Sequence, residues 1–124
     1  MLTNFSNLEM AKDNLQTLEI IEVMENFLER NRPPENLRDK LDLGYEIVGQ
    51  TVSIYEIRPR PDDSKEIMHS AIAKTTFVKT KNYWQVYWQR ANLKWNIYQP
   101  NPSVKTIKEF VELVEGDKYG CFWG

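Results

Sequence analysis

Apolar and polar positions alternate through the middle of the chain, and this alternation predicts a sheet. The alternating runs cover residues 41–47, 51–58, 71–80, 83–90 and 93–99. A period of two residues is typical of strands with one buried face. The short polar breaks between several of these runs are typical of hairpin turns. We therefore predict an antiparallel meander of about five strands.

Helical periodicity replaces this alternation towards both ends of the chain. Between residues 14 and 30, Ile20, Met24 and Phe27 share one face, while glutamates gather on the opposite face. The two prolines that follow end this helix. Thr106–Glu109 has the form of a capping box, which opens a second amphipathic helix. The predicted fold class is α+β. One domain spans 1–124, with an N-terminal helix in 1–32, a sheet in 41–99, and a C-terminal helix in 106–116 followed by an aromatic tail. We expect Phe122 and Trp123 of this tail to pack back onto the core.

The last two predicted strands have two different faces. If Ala91 and Asn92 form a two-residue turn, Trp84, Trp88 and Trp95 share one face, which we expect to be core. The other face combines aromatic, amide and cationic side chains: Tyr83, Gln85, Tyr87, Gln89, Lys94, Asn96 and Tyr98. We expect the C-terminal helix to cover this second face, with its tyrosines half-buried; an uncovered face is the alternative.

Composition narrows the class of protein. A chain of 124 residues with 41% apolar and 27% charged residues is expected to form one soluble globular domain. No apolar run approaches the ~18 residues of a membrane span, and the N-terminus has no secretory pattern. Cys121 is the only cysteine, which rules out an internal disulfide and favours a reducing compartment. The expected localisation is cytoplasmic.

Charge is distributed unevenly although the net charge is only −2. Residues 1–50 carry ten acids and five bases, whereas residues 51–100 carry four acids and eight bases. A basic sheet could form an anion-binding face. It could also complement the acidic N-terminal helix, within one fold or across a homodimer.

Catalytic signatures are absent from the sequence. It has no phosphate-binding loop, no cluster of metal ligands and no recognisable nucleophile–base pair, so we expect no cofactor and no metal. The loose candidates for an enzyme are Glu46, Glu56, Asp62, Asp63, His69 and Cys121. A non-catalytic interaction or binding module, with a protein partner or a second copy, is therefore the preferred hypothesis.

Nucleic-acid binding is the alternative hypothesis. The tyrosines and amides of the second face would form a stacking platform of the kind that single-strand binders use. Basic residues on the sheet and its loops would contact phosphates. The candidate residues are Tyr83, Gln85, Tyr87, Gln89, Arg90, Lys94, Tyr98, Arg58, Arg60, Lys74 and Lys79.

Several motifs together resemble a known family. They are Ile57-Arg58-Pro59, the run from Ile72 to Lys79, the run from Tyr83 to Trp95, and the ending Gly120–Gly124. With these motifs the chain resembles a small bacterial family catalogued only as a domain of unknown function, of the DUF3024 type. The resemblance covers about residue 33 to the end. It implies a bacterial, single-domain protein and no assigned activity.

Overall fold

The computed structural model describes the backbone of residues 5–123 and the side chains of residues 15–123. It confirms the predicted α+β class. The elements are helix α1 (Phe5–Asn31), strands β1 (Asp42–Val48), β2 (Thr51–Pro59), β3 (Ile67–Val78), β4 (Tyr83–Gln89), β5 (Trp95–Ile97) and β6 (Ser103–Val104), and helix α2 (Ile107–Gly116). A short 3-10 turn at Glu35–Leu37 follows α1. Residues 1–4 of the predicted helical segment lie outside the described residues.

Across residues 5–123, the strands form one antiparallel sheet of six strands in the order β1-β2-β3-β4-β5, with β6 also paired to β4. The order confirms the predicted meander. Three details differ from the sequence prediction. Strand β5 covers only Trp95–Ile97 of the predicted run 93–99. Strand β3 begins at Ile67, so the loop before it covers only residues 60–66, and the two-residue strand β6 was not predicted.

Both helices pack on the same side of the sheet, which we call the helix side. The core there includes Met24 and Phe27 of α1, Phe110 and Val114 of α2, and strand residues Val52, Ile54, Ala73, Trp84 and Val86. Thr106 caps α2 as predicted, because its hydroxyl oxygen accepts a hydrogen bond from the Glu109 amide at 3.2 Å.

The C-terminal tail folds back onto this core, as its aromatic composition suggested. Asp117 has a left-handed backbone conformation, and its carboxylate accepts hydrogen bonds from the amides of Phe122 and Trp123 at 3.1 and 2.9 Å. Phe122 is only 4% exposed. The Trp123 indole donates to the Val114 carbonyl at 2.7 Å and stacks on Phe27, with ring centroids 6.5 Å apart. The tail is therefore part of the core.

Polar contacts attach α1 to its neighbours. Arg30 donates two hydrogen bonds to Glu115 at 3.2 and 2.8 Å, and these bonds hold the pKa of Glu115 below its usual range. The Tyr45 hydroxyl donates to Glu25 at 2.7 Å, and burial together with this carboxylate raises the pKa of Tyr45 to about 12. Part of the acidic face of α1 thus fastens the helix to the sheet.

Candidate functional site

The second face of the sheet points away from both helices, and we call it the open face. The strand register places these side chains on it: Glu46, Ser53, Tyr55, Ile57, His69, Lys74, Tyr83, Gln85, Tyr87, Gln89, Trp95 and Ile97. None of them belongs to the core cluster. Within the described residues, neither helix covers the tyrosine- and amide-bearing face, so the expectation that the C-terminal helix covers it is wrong.

The hairpin between β4 and β5 corrects the predicted faces. Gln89 pairs with Trp95. The backbone carbonyl of Arg90 accepts a hydrogen bond from the Leu93 amide, and the backbone amide of Arg90 donates to the Lys94 carbonyl. The turn therefore has three residues and not two. Leu93 completes this turn with a positive φ of 64°. The extra residue reverses the orientation of every side chain in β5.

This reversal exchanges two aromatic residues between the faces. Trp95 lies on the open face instead of in the core. Tyr98 is 2% exposed and packs against Phe122, with ring centroids 4.9 Å apart. Asn96 pairs with Trp88 on the helix side. The prediction that Tyr98 and Asn96 belong to the binding face is therefore wrong.

A β-bulge in β3 sets the position of His69. Ile54 pairs with Ala73 and Tyr55 with Ala71, which leaves Ile72 as the extra residue. A bulge of this kind re-aims the side chains that precede it. His69 consequently pairs with Ile57 on the open face, and its ring lies 6.3 Å from the Tyr55 ring.

Lys74 lies near the centre of the open face, between Ser53 of β2 and Tyr87 of β4. Its ammonium group lies 4.4 Å from the centroid of the Trp95 ring and 5.0 Å from that of Tyr87. Partial burial lowers the pKa of Lys74. Among the described residues no carboxylate lies within 4.0 Å of this ammonium group, so the aromatic rings are its main partners.

The neighbouring polar side chains are partly occupied by contacts within the protein. The Tyr55 hydroxyl donates a hydrogen bond to the Glu46 carboxylate at 3.0 Å. Partial burial, and to a lesser extent this carboxylate, raises the pKa of Tyr55. The Tyr87 hydroxyl donates to the Gln85 side-chain oxygen at 3.3 Å, and the Gln89 amide donates to the Leu93 carbonyl at 2.9 Å. These bonds fix the rings and amides in position before any ligand arrives.

Two hollows adjoin on the open face. The larger has a volume of about 540 Å³, and the residues that line it are Ser53, Tyr55, Met68, His69, Ser70, Ala71, Lys74, Gln89, Leu93 and Trp95. The other, of about 440 Å³, lies towards β1 beside Gly44 and Glu46. Tyr55 and His69 line both hollows. Volumes of this size suit a small organic group or one nucleotide unit.

The predicted phosphate-binding residues do not come together. Arg58 is paired with Glu56 at 2.9 Å and Arg60 with Asp62 at 2.8 Å. The Arg90 guanidinium lies 5.6 Å from the centroid of the Trp88 ring, on the helix side.

The two remaining predicted lysines lie on turns and not on the strands of the open face. Lys79 and Lys94 are exposed residues at the turns after β3 and before β5. Lys79 donates to the Gln50 side-chain oxygen at 3.1 Å in the amide orientation that also satisfies the Phe77 carbonyl. Of the six basic residues predicted to bind, Lys74 is the one that projects from a strand onto the open face.

The enzyme candidates are likewise dispersed. Burial raises the pKa of the Cys121 thiol, which disfavours the reactive thiolate, and Cys121 packs against the core on the helix side, whereas His69 lies on the open face. Asp63 accepts from the Lys65 amide within its own loop. In the part of the chain with described side chains, no group of three or more His, Cys, Asp or Glu residues is placed to hold a metal ion.

Comparison with protein-family models identifies the family of this chain. The family model named Domain of unknown function (DUF3024) matches residues 12–124. The chain belongs to this family. No curated protein and no solved structure matches it. None of the helices in the described part of this DUF3024 member has the length and apolar composition needed to span a membrane.

Sequence reasoning missed several open-face residues of this DUF3024 member, namely Ser53, Tyr55, His69 and Trp95. For Ser53 and Tyr55 a signal existed, since Thr51, Ser53 and Tyr55 alternate with the apolar Val52 and Ile54. His69 and Trp95 depend on one extra residue in a bulge and in a turn, respectively. The pattern of apolar positions along the sequence does not reveal the extra residue in the bulge or the one in the turn.

Proposed function

We propose that this protein is a non-catalytic binding module and that the open face is its binding surface. The observation that carries the proposal is a sheet face with aromatic rings around Lys74 that no described helix covers. Exposed apolar groups beside a few fixed polar groups are typical of recognition surfaces. The dispersed positions of His69, Cys121 and the acidic residues favour binding over catalysis. A single cysteine fits a cytoplasmic protein.

Ligand capture with surface variants tests this proposal. Immobilised protein is incubated with cell extract beside two variants, Trp95→Ala on the open face and Glu29→Ala on the exposed side of α1. We expect the same ligand to be retained by the wild type and by Glu29→Ala, and lost from Trp95→Ala. Equal retention by all three proteins would show that the open face is not the binding surface.

A second copy of the chain is one partner that this surface could accept, and it would give a homodimer. Light scattering over a range of protein concentrations measures the mass directly. A mass that doubles with concentration, and stays monomeric in Trp95→Ala, would support pairing through the open face. A constant monomer mass in both proteins would remove the homodimer.

Single-stranded nucleic acid is the second candidate ligand. The observation that favours it is the juxtaposition of Lys74 with Tyr87 and Trp95, since single-strand binders combine cations with stacking rings. Addition of a dT12 oligonucleotide at low salt should change the tryptophan fluorescence, and Trp95→Phe should abolish most of the change. No change in the wild type at low salt would refute this candidate.

A further inference from the structure

Lys74 differs in its surroundings from the basic residues that have carboxylate partners. Arg30, Arg32, Arg58 and Arg60 each lie within 4.0 Å of a carboxylate, whereas Lys74 contacts two aromatic rings. A half-buried ammonium group loses part of its hydration, which disfavours the charged form. Cation–π contacts compensate only a part of this loss. An anionic group placed beside Lys74 would supply the missing partner.

The larger hollow supplies the rest of a small site. Its lining places Tyr55 and Trp95 in the same space as the Lys74 side chain, and Ser53, which pairs with Lys74 across the strands, also lines it. Hydroxyls and an ammonium group suit phosphate oxygens, and aromatic rings suit a planar base. The hollow therefore combines one positive charge with stacking surface.

The small number of cations on the open face limits how many phosphates a ligand can place there. A polynucleotide track needs several cations along the backbone. Arg58 and Arg60 are already paired, and Arg90 lies on the helix side. The open face thus matches one phosphate at this hollow better than a chain of phosphates.

We propose that this hollow binds one nucleoside monophosphate unit, with its phosphate on the Lys74 ammonium group and its base against Trp95 or Tyr55. The proposal rests on the open face being the binding surface. The occupant follows from charge complementarity with Lys74 and from the rings that share its hollow. A second copy of the chain would instead bring carboxylates such as Glu46 to Lys74, and this occupant is an outcome of the test.

The test compares adenosine 5′-monophosphate with adenosine, using tryptophan fluorescence of the full chain. The wild type should bind the monophosphate about tenfold more tightly than adenosine, as expected for one charge-assisted contact. Lys74→Met keeps an apolar stem over the rings but removes the charge, so the preference for the phosphate should disappear while adenosine still binds. Lys108→Met removes an exposed lysine of α2, on the helix side, and should leave the preference unchanged. For dT12, the logarithm of affinity against the logarithm of salt should have a slope of about −0.7, the value for one phosphate.

Three results would overturn the inference, and they separate it from the proposed function. An unchanged phosphate preference in Lys74→Met refutes the Lys74 subsite but leaves the open face as a binding surface. A salt slope several times steeper than −0.7 replaces the single subsite by a backbone track. Binding of neither adenosine compound, with a dimer that Lys74→Glu dissociates, assigns the face to a second copy. If ligand capture also fails to depend on Trp95, the proposed function fails as well.

Discussion

Replacing each of two tryptophans by alanine should give very different losses of stability. Trp84 is 4% exposed on the helix side, and its ring centroid lies 5.2 Å from that of Phe77. Removal of a buried tryptophan costs about 3–5 kcal/mol, because it loses transfer free energy and leaves a cavity. Trp95 is half-buried on the open face, where its specific contact is the Lys74 ammonium group. Such a contact contributes about 0.5–1 kcal/mol, so we expect Trp95→Ala to cost about 1 kcal/mol.

Urea unfolding followed by circular dichroism measures both losses on the same scale. A domain of this size has a free energy of unfolding of about 5–15 kcal/mol, so Trp84→Ala should lower the midpoint strongly. Trp84→Phe is the matched control, since it keeps an aromatic ring in the core and should lose less. Equal costs for the two alanine variants, or a larger cost at Trp95, would refute the assignment of the two rings to opposite faces.

Three further predictions concern the framework around the site. Asp117→Ala should cost about 2 kcal/mol, because two hydrogen bonds to the tail amides are lost from a half-buried carboxylate, and urea unfolding should show the change. The stability that Glu115 contributes is present above its ordinary pKa of 4.5 and is lost as the pH falls below that value, since Arg30 lowers its folded pKa. Between pH 5 and about pH 3, the free energy of unfolding of Glu115→Gln should therefore depend less on pH than that of the wild type, as urea unfolding at several pH values would measure. Gly49→Ala should cost about 1 kcal/mol, because the φ of +58° is unfavourable for a residue with a Cβ. An added Cβ would meet no atom within 4 Å, so this cost comes from the backbone conformation alone, and thermal unfolding should detect it.

The order of elements follows from local signals that the sequence carries plainly. Alternation, hairpin breaks and the Thr106 capping box act over a few residues, so they predict the meander and both helices. The helix-side core, with Phe27 and Phe110, follows from the same periodicity. The packing of the aromatic tail was also expected from its composition, although the Asp117 carboxylate that holds it was not.

The candidate site was less predictable because it depends on single-residue shifts. A two-residue and a three-residue turn are both compatible with Ala91–Asn92–Leu93, yet they place Trp95 and Tyr98 on opposite faces. The bulge at Ile72 similarly decides whether His69 meets the open face or the helix side. The pairing of Arg58 and Arg60 with acids two residues away also changes which cations are available.

The contact between Phe27 and Trp123 also has a consequence for the rate of folding. These stacked rings are 96 positions apart in the chain, and the nearby Arg30–Glu115 pair spans 85 positions. Loops of this length cost entropy before their contacts form, whereas the hairpins of the meander close over short distances. We expect the meander to form early and α1 to dock late. Substitutions at Phe27 should therefore accelerate unfolding more than they slow folding in stopped-flow measurements.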